Sequence, residues 1–313
     1  MLRATLRRAV LFGVALLFGS LANAQGVTQP AGTGTVSVAF QTIENTGHVL
    51  TDGSYIDNGR SRNRSLFLET DYSVSRRVSL SFAIPFVAAR YIDDDPPPEF
   101  IPFLPVDQCR CWHSGWQDVS VAARANLLDT LDHVLVVTPS VSFGVPTHAY
   151  AYRGEAVIGK RLSELRVGVD AVLRADAISP RLALQARYAR AFVQNVAVEG
   201  TTRISPDRSN LQLGGDWRLT SNWSVRAFVE LQRIHGGLRM GAPKTPGDVS
   251  TPERMTEHDR LLRDNNTRIG AGASYQFSRF SLYGSYTHFL TGTDSHAGFA
   301  ITTGVSVPFR MRH

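Results

Sequence analysis

From about residue 35 onward, apolar and polar residues alternate over runs of about ten to thirteen positions, the period of a β-strand with two unlike faces. Val78, Leu80, Phe82, Ile84, Phe86 and Ala88 interleave with Arg77, Ser79, Ser81, Ala83, Pro85 and Val87. The same period of two recurs over 165–174, 211–219, 268–277 and 299–309. No window after residue 34 keeps a long helical period or approaches a transmembrane helix. Runs of this length exceed the five or six residues typical of strands in globular proteins. They match the roughly nine to eleven tilted residues that cross a bilayer as a strand. One face is apolar and the other small or charged, which suits a half-buried soluble sheet and a lipid-facing barrel wall alike.

The connections separate those two readings. Strands are predicted near 35–45, 64–74, 77–90, 117–128, 133–145, 151–162, 165–175, 181–193, 195–204, 209–219, 223–235, 266–277, 280–290 and 297–309. Every second connection is then a tight turn, at 75–76, 129–132, 163–164, 194, 220–222 and 278–279. The others are longer, and three (about 46–63, 91–116 and 236–265) are very long. Short turns on one side and long loops on the other are the asymmetry of outer-membrane barrels, with the short turns periplasmic. The expectation is an all-β chain, a transmembrane antiparallel up-and-down β-barrel of about fourteen strands over 35–313. Segment 151–162 carries Arg153, Lys160 and Arg161 and has no clean apolar face, and without it the count falls to twelve. Pro85 and Pro139 fall inside strands, where the lost ladder N–H predicts a bulge. Tyr72, Trp217, Trp223, Tyr275, Phe277, Phe280 and Phe309 gather at the tight-turn ends, as an aromatic girdle would.

The first 24 residues read differently. Arg3, Arg7 and Arg8 precede an apolar run and then Ala22-Asn23-Ala24, the three parts of a secretory signal peptide. Residues 25–34 form a short segment before the first strand. The net charge of +6 comes from 33 basic and 27 acidic residues. Without the three leader arginines it is 30 against 27, so the basic balance gives no case for a nucleic-acid partner. Cys109 and Cys111, the two cysteines, sit two apart in a Pro- and Asp-rich stretch and are a candidate disulfide in an oxidising compartment.

The polar face supplies the candidate site. Glu69, Asp71, Arg124, Asp170, Arg174, Arg187, Asp216, Arg226, Glu230 and Arg268 are expected to face the lumen, together with Glu199, Arg203 and Arg218. Acids and arginines on neighbouring strands would pair there and set the field felt by a solute, or simply satisfy one another in a barrel interior. No catalytic constellation is expected. None of the nine histidines has a serine two residues later, and His288 and His296 are the substitutes for a lipid-modifying enzyme. No phosphate cradle, metal-ligand spacing or cofactor motif appears. Asp93, Asp94 and Asp95 are an acidic loop triplet, read as a solvated turn or a cation contact.

Several stretches resemble the bacterial outer-membrane family named for the meta-pathway of phenol degradation. They are Ser65-Leu66-Phe67-Leu68-Glu69, the run from Val78 through Pro85-Phe86, and Ser114-Gly115-Trp116-Gln117-Asp118-Val119 leading into Ala122-Ala123-Arg124. The resemblance implies an outer-membrane channel for passive uptake of small molecules, aromatic or hydrophobic ones among them. Its partners would be outer-membrane lipids, the barrel-assembly machinery and the small-molecule solute. About ten residues precede the first strand, too few for the N-terminal hatch of fatty-acid channels, so a plug would have to come from a long loop. A filled structural barrel and a lipid-modifying barrel enzyme are the rival readings.

Overall fold

The computed structural model describes residues 29–57, 59–93, 107, 109–130, 134–154, 156–198, 202–240, 254 and 256–311. Twelve long antiparallel strands form a closed ring: β1 (Thr33–Val49), β2 (Ser61–Ser73), β3 (Val78–Tyr91), β4 (Val119–Ala125), β5 (Leu135–Val145), β6 (Glu164–Arg174), β7 (Leu182–Val193), β8 (Arg208–Arg218), β9 (Trp223–Ile234), β10 (Asn265–Gln276), β11 (Ser281–Thr293) and β12 (Ser295–Arg310). Each pairs with its sequence neighbours, and β12 closes on β1 from Thr33↔Arg310 to Val49↔Ser295. Three short strands extend the wall: Tyr55–Ile56 on β1, His113–Trp116 on β3 and Leu128–Asp129 on β5. No helix among the described residues is long and apolar enough to cross a membrane.

The inner and outer faces follow from the period-two pattern. Val36, Val38, Phe40, Leu66, Leu68, Leu80 and Phe82 lie exposed on the outside, while Ser37, Ala39, Gln41, Ser65 and Phe67 are buried inside. Exposed apolar side chains all around a closed ring would be costly in water and suit lipid. At the tight-turn end the outer aromatics touch one another: Trp223, Tyr275, Phe277 and Phe280 run in sequence at centroid separations of 4.9, 4.5 and 4.4 Å, and Tyr72 stacks on Phe309.

The strand count is twelve because two predicted strands are loop-side structure. Residues 151–162 are irregular, as their charges on both faces foreshadow. Segment 195–204 is a small separate hairpin (Val196–Val198 with Thr202–Ile204) outside the barrel sheet. Losing the first reverses β6 and β7 relative to the expectation. Their connection at 175–181 joins the tight-turn side, while 163–164 and 194 belong to the loop side. Losing the second restores the direction of β8 onward. Pro139 sits opposite Val169 with no register shift. Pro85 falls where β3 changes partner, between Ala83↔Ser120 and Phe86↔Trp116, so its missing N–H interrupts nothing. The leader, residues 1–24, lies outside the described residues.

Candidate functional site: the barrel lumen and its mouth

A cavity runs along one side of the lumen. It extends from Thr35, Asp71 and Arg124 near the tight-turn end to Asp118, Leu162 and Glu164 at the loop end. Its wall belongs to β1–β7, where small inward residues (Ser81, Ala83, Ser120, Ala122, Ser140, Ser142 and Gly144) leave the space open. Five carboxyls (Glu69, Asp71, Asp118, Glu164 and Asp170) and three guanidiniums (Arg124, Arg166 and Arg187) line it.

Geometry explains the pairing. Asp170 and Arg187 stand directly opposite on β6 and β7 and are bonded through Arg187 Nε. Arg124 on β4 reaches over β3 to Asp71 on β2 at 3.3 Å, and the intervening Ser79 and Ser81 are small enough to allow it. At the loop end Glu164 holds two arginines, Arg166 at 2.7 Å and Arg208 from β8. The sequence reading makes 163–164 a tight turn and so does not bring this trio together. Glu69 lines the cavity opposite Ser37 and Ala83.

The other half of the wall is filled. Asp216 and Arg226 face each other across β8 and β9 at 3.5 Å, and Arg226 also donates to Gln185 at 2.9 Å. Glu230 accepts from Gln212 at 2.5 Å and stands opposite Arg268. Phe228 lies over Gly270, where a Cβ would come within 2.2 Å of its ring. Tyr283 likewise lies over Gly304 and packs with Ala39 and Phe67. Arg174 sits at the tight-turn rim, 44% exposed and paired with Asp176 at 2.9 Å. Arg218 is exposed, and so is Arg203 on the loop-side hairpin; Glu199 lies outside the described residues.

The mouth is covered by chain from the long loops. A short helix, α1 (His258–Leu261), inserts Leu261 into a buried cluster with Leu162, Ala191, Val193, Val198 and Leu238. Arg260 donates to the carbonyls of Lys160 at 2.9 Å and Arg161 at 3.2 Å, just before β6, and its guanidinium lies 4.0 Å from the Tyr152 ring centre. On its other side, Asp259 bonds His296 of β12 at 2.9 Å. Asp259 thus meets β12, and Leu261 sits in the cluster that includes Ala191 and Val193 of β7, five strand positions away in a ring of twelve, so α1 bridges the mouth. Beside it, Tyr150 donates to Asp118, and burial holds the Asp118 carboxyl up at about 6, against the lowering effect of that hydrogen bond. Burial and the Asp118 charge push the Tyr150 hydroxyl well above its ordinary range.

Other candidates are local. Cys109 and Cys111 are joined as a disulfide in an exposed loop. Asp93 is buried against Arg60, 2.5 Å away, which makes it a loop clamp; Asp94 and Asp95 lie outside the described residues. His288 stands on the outer face near Tyr286, whose hydroxyl is 3.2 Å from Nδ1, whereas His296 faces inward.

No family model matches the chain, and no curated protein matches its sequence. Among solved structures it is similar to an outer membrane channel from Pseudomonas putida F1, with TM-score 0.69 and 13% identity over 91% of this chain and 98% of that one. It is also similar to the translocator domain of the autotransporter NalP from Neisseria meningitidis, with TM-score 0.50 and 11% identity over 90% of each chain. Likeness at these identities shows a shared fold, the antiparallel β-barrel of outer-membrane proteins.

Proposed function

We propose that this protein is an outer-membrane channel for passive uptake of small molecules. The observation that carries the reading is the lengthwise cavity inside the ring, lined by small and charged side chains and walled outside by exposed apolar ones. A filled structural barrel has no need for six inward Ser and Ala positions along one wall, where larger residues would pack. The similarity to a solved outer membrane channel supports the same function, as does the resemblance of 65–69, 78–86 and 114–124 to the phenol meta-pathway family. Residues 1–24 serve as its export signal, and outer-membrane lipids and the assembly machinery are its partners in reaching that site.

The lining favours solutes that can hydrogen-bond. A bare hydrocarbon would desolvate paired arginines and carboxylates with nothing in return, whereas an aromatic carrying hydroxyl or carboxyl groups could bond to them. A lipid-modifying enzyme is disfavoured because its two candidate histidines, His288 and His296, lie on opposite faces of the wall. Conductance of the purified full chain in planar bilayers tests the reading. Discrete steps are expected, reduced by most of their amplitude in Ser120→Trp and Ser142→Trp, which place an indole in the cavity. A folded barrel that never opens a step overturns the channel and leaves the structural barrel.

A further inference from the structure

Three groups at the mouth come from distant parts of the chain and point at one another. His48 and His296 are direct cross-strand partners on β1 and β12, with ring centres 4.5 Å apart. Residue exposures are 3% and 9%. Asp259 arrives from α1 with its Oδ1 2.9 Å from His296 Nε2. One ligand atom from each of the three lies within 4.8 Å of the others.

His48 should not face this way. On β1 the buried inward positions are Thr35, Ser37, Ala39, Gln41, Ile43 and Asn45, all odd-numbered, so simple alternation would send His48 outward. The register slips between Asn45 and Gly47, leaving Thr46 as an extra residue, and His48 then falls opposite His296 on the inner face. Bulges of this kind re-aim side chains beside functional sites.

We propose that His48, His296 and Asp259 form a binding site for a divalent transition-metal ion of the zinc class, which fastens the α1 crossbar to the barrel seam. Two imidazoles and one carboxylate are the nitrogen and oxygen donors that zinc accepts, with a fourth position left for water. Calcium and magnesium prefer an all-oxygen shell. Around a tetrahedral zinc, ligand atoms stand about 3.3 Å apart, inside the spread found here. A His–Asp hydrogen bond alone would need one imidazole and no bulge. The ion replaces the shared proton between His296 and Asp259, and that proton leaves to solvent. The carboxylate is held in place, because Arg260 ties α1 to the carbonyls of Lys160 and Arg161 and Leu261 is packed in the buried cluster.

The test uses the refolded full chain in detergent, stripped with a chelator and titrated with Zn²⁺ by calorimetry, then with Co²⁺ by visible absorption. One saturable equivalent is expected, with a tetrahedral Co²⁺ spectrum and slower proteolysis near α1 in the loaded protein. His48→Ala, His296→Ala and Asp259→Asn should each weaken binding by about tenfold or more. The strand ladders hold the barrel closed in all three, and the heat-dependent gel shift confirms folding of each. Absence of stoichiometric uptake by the folded wild type overturns the site. So does uptake unchanged in His48→Ala and His296→Ala. Neither readout requires current, so a silent channel and an absent metal site give different results.

Discussion

The two halves of the barrel wall share one ladder and one period but do opposite things with the lumen. Along β2–β7 the inward residues are largely Ser, Ala and Gly, with charges spaced between them, and a cavity remains. Along β9–β12 Phe228 and Tyr283 lie flat on Gly270 and Gly304, and Arg226, Glu230 and Arg268 fill what is left. The contrast teaches that a pore in a barrel of twelve strands depends on residue volume on a few inner positions. Charge then decides what the remaining space admits.

Removing bulk from the filled half breaks the contrast most. Tyr283→Ala should cost about 3 kcal/mol of stability, since Tyr283 is 8% exposed and packs on Ala39 and Phe67. It should also raise conductance by extending the cavity past the seam, whereas Ser142→Ala on the open half should change neither. Urea unfolding in lipid and single-channel recording check both.

Acidification acts at the mouth above the open half. Asp118 has its pKa raised from 3.8 to about 6 by burial, with Tyr150 and Glu164 facing it. Its contribution to the docked loop is therefore full below about pH 4 and lost as pH rises through about 6, an effect on the order of 2 kcal/mol. Protection factors around Tyr150, with the intrinsic pH dependence of amide exchange divided out, should be higher at pH 5 than at pH 7.5, and Asp118→Asn should abolish that difference.

The smallest effect sharpens the role of charge. Arg187→Gln leaves Asp170 uncompensated in the cavity. One unit charge at about 5 Å in a watery pore is worth about 0.8 kcal/mol, so cation-over-anion permeability should rise about fourfold. Reversal potentials in a salt gradient measure it. Arg174→Gln, at the exposed rim, should leave selectivity unchanged.

Most of the wall was legible in the sequence because a strand's faces are set by a period of two, residue by residue. Asp170, Arg187, Asp216 and Arg226 were each expected on the inner face, and Asp170–Arg187 and Asp216–Arg226 pair there across sequence-adjacent strands. Segments 151–162 and 195–204, which the sequence predicts as wall strands, lie outside the barrel ladder. The first lacks a clean apolar face, and the second pairs with itself as a small hairpin outside the barrel sheet.

What the sequence determined by itself is the barrel with its apolar outside and polar inside, and the tight turns at 75–76, 220–222 and 278–279. Each of these is fixed by local chemistry. What only the tertiary structure decided lies at the mouth: α1 laid across the ring, Glu164 shared by Arg166 and Arg208, and His48 turned inward by one extra residue to meet His296 and Asp259. Those contacts join residues up to 248 positions apart, as His48 and His296 show. No local pattern specifies them: His48 meets His296 when ring closure brings the first and last strands together, and Glu164 meets Arg208 across the intervening β7.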